Sequence, residues 1–189
     1  MTFGFMFTGR IFPFAVRGRR SVRLRGHDYR SGTYFVTICA DDHVPTFGEV
    51  VQRRVHLSLA GRIAKQCWLE IPRCYPHVRL DAFVVMPDHI HGILCFVDAS
   101  VAPDRPRRFG DAVPGSLSTI LGTYKAEVTK RINAQRPTPG QKVWQRNYYE
   151  HIVRNPADLH RIRWYIITNP IRWNRRRTHR EREDGAGSG

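Results

Sequence analysis

The segment VRLDAFVVMPDHIHGILCFV, residues 78–97, decides how the chain folds. Two apolar, β-branched runs, 78–86 and 89–97, read as strands, and the Pro87-Asp88 pair between them suits the centre of a type I turn. The second strand opens with His89-Ile90-His91. Side chains at i and i+2 of a strand share a face. His89 and His91 can therefore reach one cation together, while Ile90 turns the opposite way into a core. Two imidazoles do not complete a metal site, so further ligands have to come from elsewhere in the chain.

Outward from this hairpin the pattern alternates. Residues 33–40 (TYFVTICA) are β-branched and aromatic and predict another strand. Residues 47–51 and 55–59 can form a short hairpin across Gln52-Arg53-Arg54. Residues 58–71 predict a helix with Leu59, Ile63, Cys67 and Ile71 on one stripe, ended by Pro72. Residues 98–115, rich in Pro, Asp, Arg and Gly, predict a mobile loop. Ser116 then offers an N-cap to a long helix whose Leu117, Ile120, Leu121, Tyr124, Val128 and Ile132 follow the 3.6-residue period. Lys125, Lys130 and Arg131 lie off that stripe. A strand is expected around 148–153. Asn155-Pro156 opens a last helix, with Asn as cap and Pro at the first position, and Pro170 is expected to close it. The fold class is α+β: one domain with an antiparallel sheet and helices packed on one or both faces. An ill-ordered arm (1–18) should precede the domain (19–173), and a basic, disordered tail (174–189) should follow it.

Charge narrows the partner. The chain carries 31 Lys and Arg against 16 Asp and Glu, a net charge of +15. Such an excess favours a polyanion, nucleic acid first and an anionic membrane surface second. The basic residues cluster, as in Arg17, Arg19, Arg20, Arg23, Arg25 and Arg30, which argues against a role in solubility alone. No run approaches the length of a membrane span. The N-terminal MTFGFMFTGRIFPFAV lacks a basic leading region and a small-residue cleavage site, so it does not read as a signal peptide. The four cysteines form no C-x-x-C pair, which removes the common zinc-ribbon spacings. Cys39 and Cys95 fall in apolar strands and read as small buried hydrophobes of a reduced, intracellular protein.

The last helix can complete the histidine site. Leu159, Ile162 and Ile166 form its core stripe, whereas Arg161, Tyr165 and Asn169 fall at i, i+4 and i+8 on another. Residues four apart are neighbours on a helix, so Tyr165 and Asn169 can face one site together. A phenol serves as a covalent nucleophile when its attack is oriented, and an amide oxygen is a third ligand suited to a hard divalent metal. Each residue alone has a plainer reading. A tyrosine on a helix most often packs, and an asparagine before proline most often ends a helix. The combination with the histidine pair is what carries weight.

Four blocks in order, VVMPDHIHGIL, SLSTILGTYKAEVTKRIN, VWQRNYYEHIVRN and RIRWYIITNP, resemble single-tyrosine transposases of the His-hydrophobe-His (HUH) superfamily, and among them the REP-associated tyrosine transposases. The leading segment RRSVRLRGHDYRSGTYFVTICA resembles that group as well, so the likeness runs from about Arg19 to Trp173. It implies a ferredoxin-like HUH nuclease fold. It also implies Mg²⁺ or Mn²⁺ held by His89, His91 and Asn169, with Tyr165 as nucleophile and His151 in a supporting role. Tyr148 and Tyr149, though conspicuous, fall in the preceding strand. Trp164 stands where relatives often carry a charge, and Asp88 where Asn is common. The implied activity is nicking and rejoining of DNA through a 5′-phosphotyrosine. The implied partner is single-stranded or hairpin DNA, REP-like palindromes included, bound by a monomer or homodimer in the bacterial cytoplasm, at the nucleoid. Arg19, Arg20, Arg23, Arg25, Lys125, Arg161 and Arg172, with Arg175, Arg176 and Arg177, would then contact phosphates. Three rivals remain. One is a domesticated, non-cutting DNA-binding protein of the same fold, and another is a replication initiator or relaxase. The third, a histidine-triad phosphohydrolase, would need a third alternating histidine where the chain has Ile93.

Overall fold

Alternation along each strand, set against the period of each helix, sorts this chain into three layers. A computed structural model describes residues 29–97, 114–137 and 140–185, with side chains as far as Trp173. The elements are β1 (Gly32–Cys39), β2 (Gly48–Val51), β3 (Arg54–Leu57), α1 (Leu59–Leu69), α2 (Ile71–Cys74), β4 (Val78–Val85), β5 (His89–Phe96), α3 (Leu117–Asn133), β6 (Tyr149–Ile152) and α4 (Pro156–Gly185). The main sheet has the order β4-β5-β1-β6 and is antiparallel throughout. With the separate β2–β3 ribbon set aside, the chain runs β1-α1-β4-β5-α3-β6, the βαββαβ path of ferredoxin-like folds. The α+β expectation holds, and β5, which carries the histidines, is a central strand.

One face of the sheet presents Tyr34, Val36, Ile38, Ile90 and Leu94 to α1 and α3, forming the larger core with Trp68, Ile120, Leu121 and Tyr124. The other face presents Phe35 and Ile93 to Ile162, Tyr165 and Ile166 of α4. Ile90 is fully buried in the larger core, as the alternation requires. Gly92 lies on the same side, and there the Trp68 ring crosses so closely that a Cβ would sit 2.2 Å from it. Glycine is needed at that point for approach, not for backbone freedom.

Most element boundaries match the periodicities, and the exceptions have causes. All of the predicted α3 stripe (Leu117, Ile120, Leu121, Tyr124, Val128 and Ile132) is buried, and Ser116 caps the helix. The α1 stripe differs. Leu59 is exposed, and the buried positions are Ala64, Cys67 and Trp68, continued by Ile71 after the helix ends. Its rotation is fixed by Gly61, where a Cβ would meet the Phe47 carbonyl oxygen at 2.0 Å. The short hairpin turns on two residues, Gln52 and Arg53, both at positive φ (48° and 65°), and Arg54 already pairs with Val51. Primed two-residue turns match the twist of the strands they join, which explains a tighter link than the predicted three.

The larger correction concerns the last helix. Asn155 caps it, accepting the Asp158 N–H at 2.8 Å. Pro170 does not close it: α4 continues to Gly185, so residues 174–185, expected as disordered tail, have helical backbone. Proline removes one N–H from the ladder, but its fixed φ is helical. Buried Asn169 on one side and Trp173, packed against His89, on the other hold the two halves in line. α4 also passes close to β2 and β3. The expected arm at 1–18 and residues 98–113 of the expected loop lie outside the described residues. Cys39 and Cys95 are half-buried rather than buried, and all four cysteines are free thiols. Burial pushes the Cys39 thiol up to about 11, so it stays protonated. No described helix is long and apolar enough to cross a membrane.

Candidate active site

The β4–β5 turn is fixed before any site residue is considered. Met86 N–H donates to the His89 carbonyl (2.8 Å), Ala40 N–H to the Asp88 carbonyl (2.8 Å) and Phe47 N–H to the Pro87 carbonyl (2.9 Å). His89 and His91 therefore leave a backbone held from three sides. Both are buried, with ring centroids 4.4 Å apart. The Nδ1 of His89 is bonded to the Asp88 carboxylate, and the Nδ1 of His91 lies 2.9 Å from Thr37 Oγ1. A carboxylate only accepts, so it holds the His89 proton on Nδ1 and leaves the buried Nε2 as the lone-pair donor. Metal-ligating histidines are oriented by partners of this kind.

α4 crosses the sheet above this pair. Tyr165 is 2% exposed, and its hydroxyl lies 3.4 Å from His91 Nε2. The Tyr165 ring centroid is 5.2 Å from that of His91, and Phe35 meets both rings, at 6.0 Å and 5.3 Å. One turn further along, Asn169 is buried, and its Nδ2 makes no hydrogen bond. One more turn brings Trp173, whose ring centroid is 5.8 Å from that of His89. The stripe that lies over the histidines is therefore Tyr165, Asn169 and Trp173. The donor chemistry is what fits a cation: two imidazole nitrogens and, from buried Asn169, an amide oxygen that is a hard ligand, whereas the amide nitrogen without a hydrogen bond is a donor and does not bear on it. Among the described residues no three His, Cys, Asp or Glu side chains gather as a metal-ligand group, so the available donors are two imidazoles and one amide.

The other sequence candidates are dispersed. Arg161 leaves the predicted stripe and binds Asp158 at 2.5 Å, and the same carboxylate takes His151 Nε2 at 2.8 Å. Burial works to raise the Asp158 carboxyl pKa, but the bonds from His151 and Arg161 prevail and hold it below the ordinary aspartate value. His151 thus ties β6 to the start of α4. Lys125 does not reach out to solvent as a phosphate ligand would. Its ammonium is held by the carbonyls of Gln145 (2.5 Å) and Arg146 (3.1 Å), and burial pushes its pKa down. Lys125 fastens α3 to that segment. Arg172 is half-buried on α4. Arg19, Arg20, Arg23 and Arg25 lie outside the described residues, as do the side chains of Arg175, Arg176 and Arg177. Tyr148 packs on the larger core and Tyr149 beside Phe35. Sequence reasoning missed the orienting roles of Asp88 and Thr37 and the placement of Trp173. Adjacency to His89 was a usable signal for Asp88, and the i+4 spacing from Asn169 was one for Trp173. Nothing marked Thr37, whose pairing opposite His91 exists only in the folded sheet.

The arrangement is a ferredoxin-like sheet with a His-x-His pair on a central strand and a helix-borne tyrosine above it, a fold shared with a solved tyrosine transposase. A solved structure of a REP-associated tyrosine transposase bound to a REP hairpin matches 79% of this chain and 73% of its own, with a TM-score of 0.53 at 22% identity. A putative transposase of Deinococcus radiodurans R1 matches 76% of this chain and 94% of its own at 16% identity, with a TM-score of 0.43. An uncharacterized protein of Haemophilus influenzae is 37% identical over 169 residues, covering 84% of this chain and 91% of its own length, and the chain belongs to the family of that protein. No family model matches the chain.

Proposed function

We propose that this protein is a DNA strand transferase that nicks and rejoins single-stranded or hairpin DNA through Tyr165. The observation that carries the reading is the Tyr165 hydroxyl 3.4 Å from Nε2 of His91, inside a buried cluster with a second histidine and an amide. A net charge of +15 supports a polyanionic substrate. Likeness in fold to a transposase bound to hairpin DNA supports the substrate class.

His89, His91 and Asn169 would hold a Mg²⁺ or Mn²⁺ ion, with Asp88 and Thr37 orienting the two rings. When bound, such an ion draws charge from a non-bridging oxygen of the scissile phosphate. Tyr165 supplies the nucleophile. Its oxygen forms a bond to phosphorus as the bond from phosphorus to the 3′-oxygen breaks, and the phenolic proton passes, in net, to that 3′-oxygen. The products are a 5′-phosphotyrosine and a free 3′-hydroxyl. One phosphodiester replaces another, so a 3′-hydroxyl can reverse the step and join new ends without a nucleotide cofactor. Phe35, Ile162 and Ile166 keep the phenol against the histidines and limit water around it. Because Tyr165 is 2% exposed, a phosphate reaches it only with local movement of the groups that cover it.

The test is incubation of the full chain with labelled hairpin oligonucleotides and Mn²⁺. A covalent protein–DNA adduct stable to denaturant is expected for the wild type, absent in Tyr165→Phe and strongly reduced in His89→Ala. An adduct that survives Tyr165→Phe removes Tyr165 as nucleophile. Tight DNA binding with no adduct under any condition favours the non-cutting reading.

A further inference from the structure

The sheet edges under α4 are β4 and β6, and each sends one polar anchor to the helix. On β4 the register with β5 shifts between Leu80 and Phe83. Asp81 sits in that irregularity, where the Ala82 N–H donates to its carboxylate at 2.6 Å. Irregularities of this kind re-aim a side chain. Here the carboxylate meets both arms of the Arg163 guanidinium, Nε at 2.8 Å and an Nη at 2.5 Å. On β6 the anchor is His151, bound to Asp158 near the start of α4. Tyr165, two residues beyond Arg163, reaches over central β5 to His91.

Apolar contacts of Ile162 and Ile166 set how deeply α4 sits, but they are non-directional and leave its rotation and slide loosely fixed. A two-pronged arginine–carboxylate pair is directional. Arg163 is 47% exposed, so as a source of stability the pair contributes little. Its geometry matters more than its energy. We infer that Asp81 and Arg163 are positioning residues that set the rotation of α4, so that the Tyr165 hydroxyl meets a phosphate placed at His89 and His91. The inference rests on Tyr165 being the nucleophile. A misplacement of about 1 Å can cost up to about a hundredfold in rate.

Asp81→Asn makes the test sharp, because it removes a negative charge from a protein of net charge +15. Electrostatics alone would then leave binding unchanged or tighter. With hairpin DNA and Mn²⁺, single-turnover adduct formation at saturating DNA should slow by about tenfold or more, with Kd no weaker and the melting temperature close to wild type. The exchanged pair, Asp81→Arg with Arg163→Asp, should recover most of the rate. A wild-type rate in Asp81→Asn overturns the inference, as does a loss confined to Kd in Arg163→Lys. If the wild type forms no adduct, the reading of Tyr165 fails separately. The positioning claim is then decided by the ring resonances of His91, which must shift in Asp81→Asn and recover in the exchanged pair. Unchanged resonances overturn it.

Discussion

Replacing Gly92 with alanine should damage this protein more than any comparable single-methyl change at its surface. A Cβ at that position would lie 2.2 Å from Cζ2 of Trp68, with two more ring atoms at 2.8 and 2.9 Å. Ordinary contact begins near 3.4 Å, so the indole has to withdraw by about 1.2 Å. It has little room to do so. Trp68 is fully buried, stacked on Phe83 at 6.1 Å and edge-on to Tyr124 at 5.3 Å. Overpacking of a rigid aromatic belongs at the upper end of the usual range, about 3 kcal/mol. For a domain of this size that lowers the melting temperature by about 6–12 °C. Thermal unfolding followed by circular dichroism measures it directly. The cycle completed by Trp68→Leu adds a second check, because shrinking the ring makes room for the methyl and the two losses should fall short of additive by at least about 1 kcal/mol. A Gly92→Ala protein that melts within about 2 °C of wild type would refute the packing described for β5 against α1.

Other outcomes follow from the same contacts. Ser58→Ala removes the oxygen that accepts the Gly61 N–H at 3.1 Å and donates to the Thr46 carbonyl at 2.8 Å, and denaturant melts should register about 1 kcal/mol of lost stability. Lys125→Met leaves two carbonyls without their donor, so stability should fall by about 1–3 kcal/mol while the salt dependence of DNA binding keeps its slope. A shallower slope would restore Lys125 to the phosphate-contacting set. The carboxyls of Glu70, Asp81 and Asp158 are held below their ordinary values. For Glu70 and Asp81 the arginine bond is the first cause, and for Asp158 the bonds from His151 and Arg161 overcome burial. A depressed folded pKa contributes stability above the unfolded pKa and loses it as pH falls through the folded one. The melting-temperature gap between wild type and a variant carrying Glu70→Gln, Asp81→Asn and Asp158→Asn should therefore be full at neutral pH and close in acid below the ordinary carboxylate range. A gap that widens in acid would contradict those pairings.

Much of the fold was legible because its signals are local. The turn at Pro87-Asp88, the alternation of His89-Ile90-His91 and the buried stripe of α3 all lie in contiguous sequence. Features decided by distant partners were not legible. Leu59 fits the α1 period as well as Ala64 does, and only the approach of Gly61 to the Phe47 carbonyl selects the face that is buried. Pro170 carries a true local signal for a helix end, yet packing on both sides of it prevails. The site shows the same division. Tyr165 and Asn169 could be paired by helical spacing, but Thr37 becomes a partner of His91 only when β1 lies beside β5, and Asp81 reaches Arg163 only through an irregularity in β4 that no residue type announces.

The alternation of β5 has a consequence for anyone who would recut this scaffold as a tool. The strand sends His89, His91 and Ile93 to one helix layer and Ile90, Gly92 and Leu94 to the other. Inserting or deleting a single residue in the turn between Met86 and His89 would exchange the two sets, driving imidazoles against Trp68 and isoleucine into the place of His89 and His91. Length in this stretch is therefore as critical as residue identity.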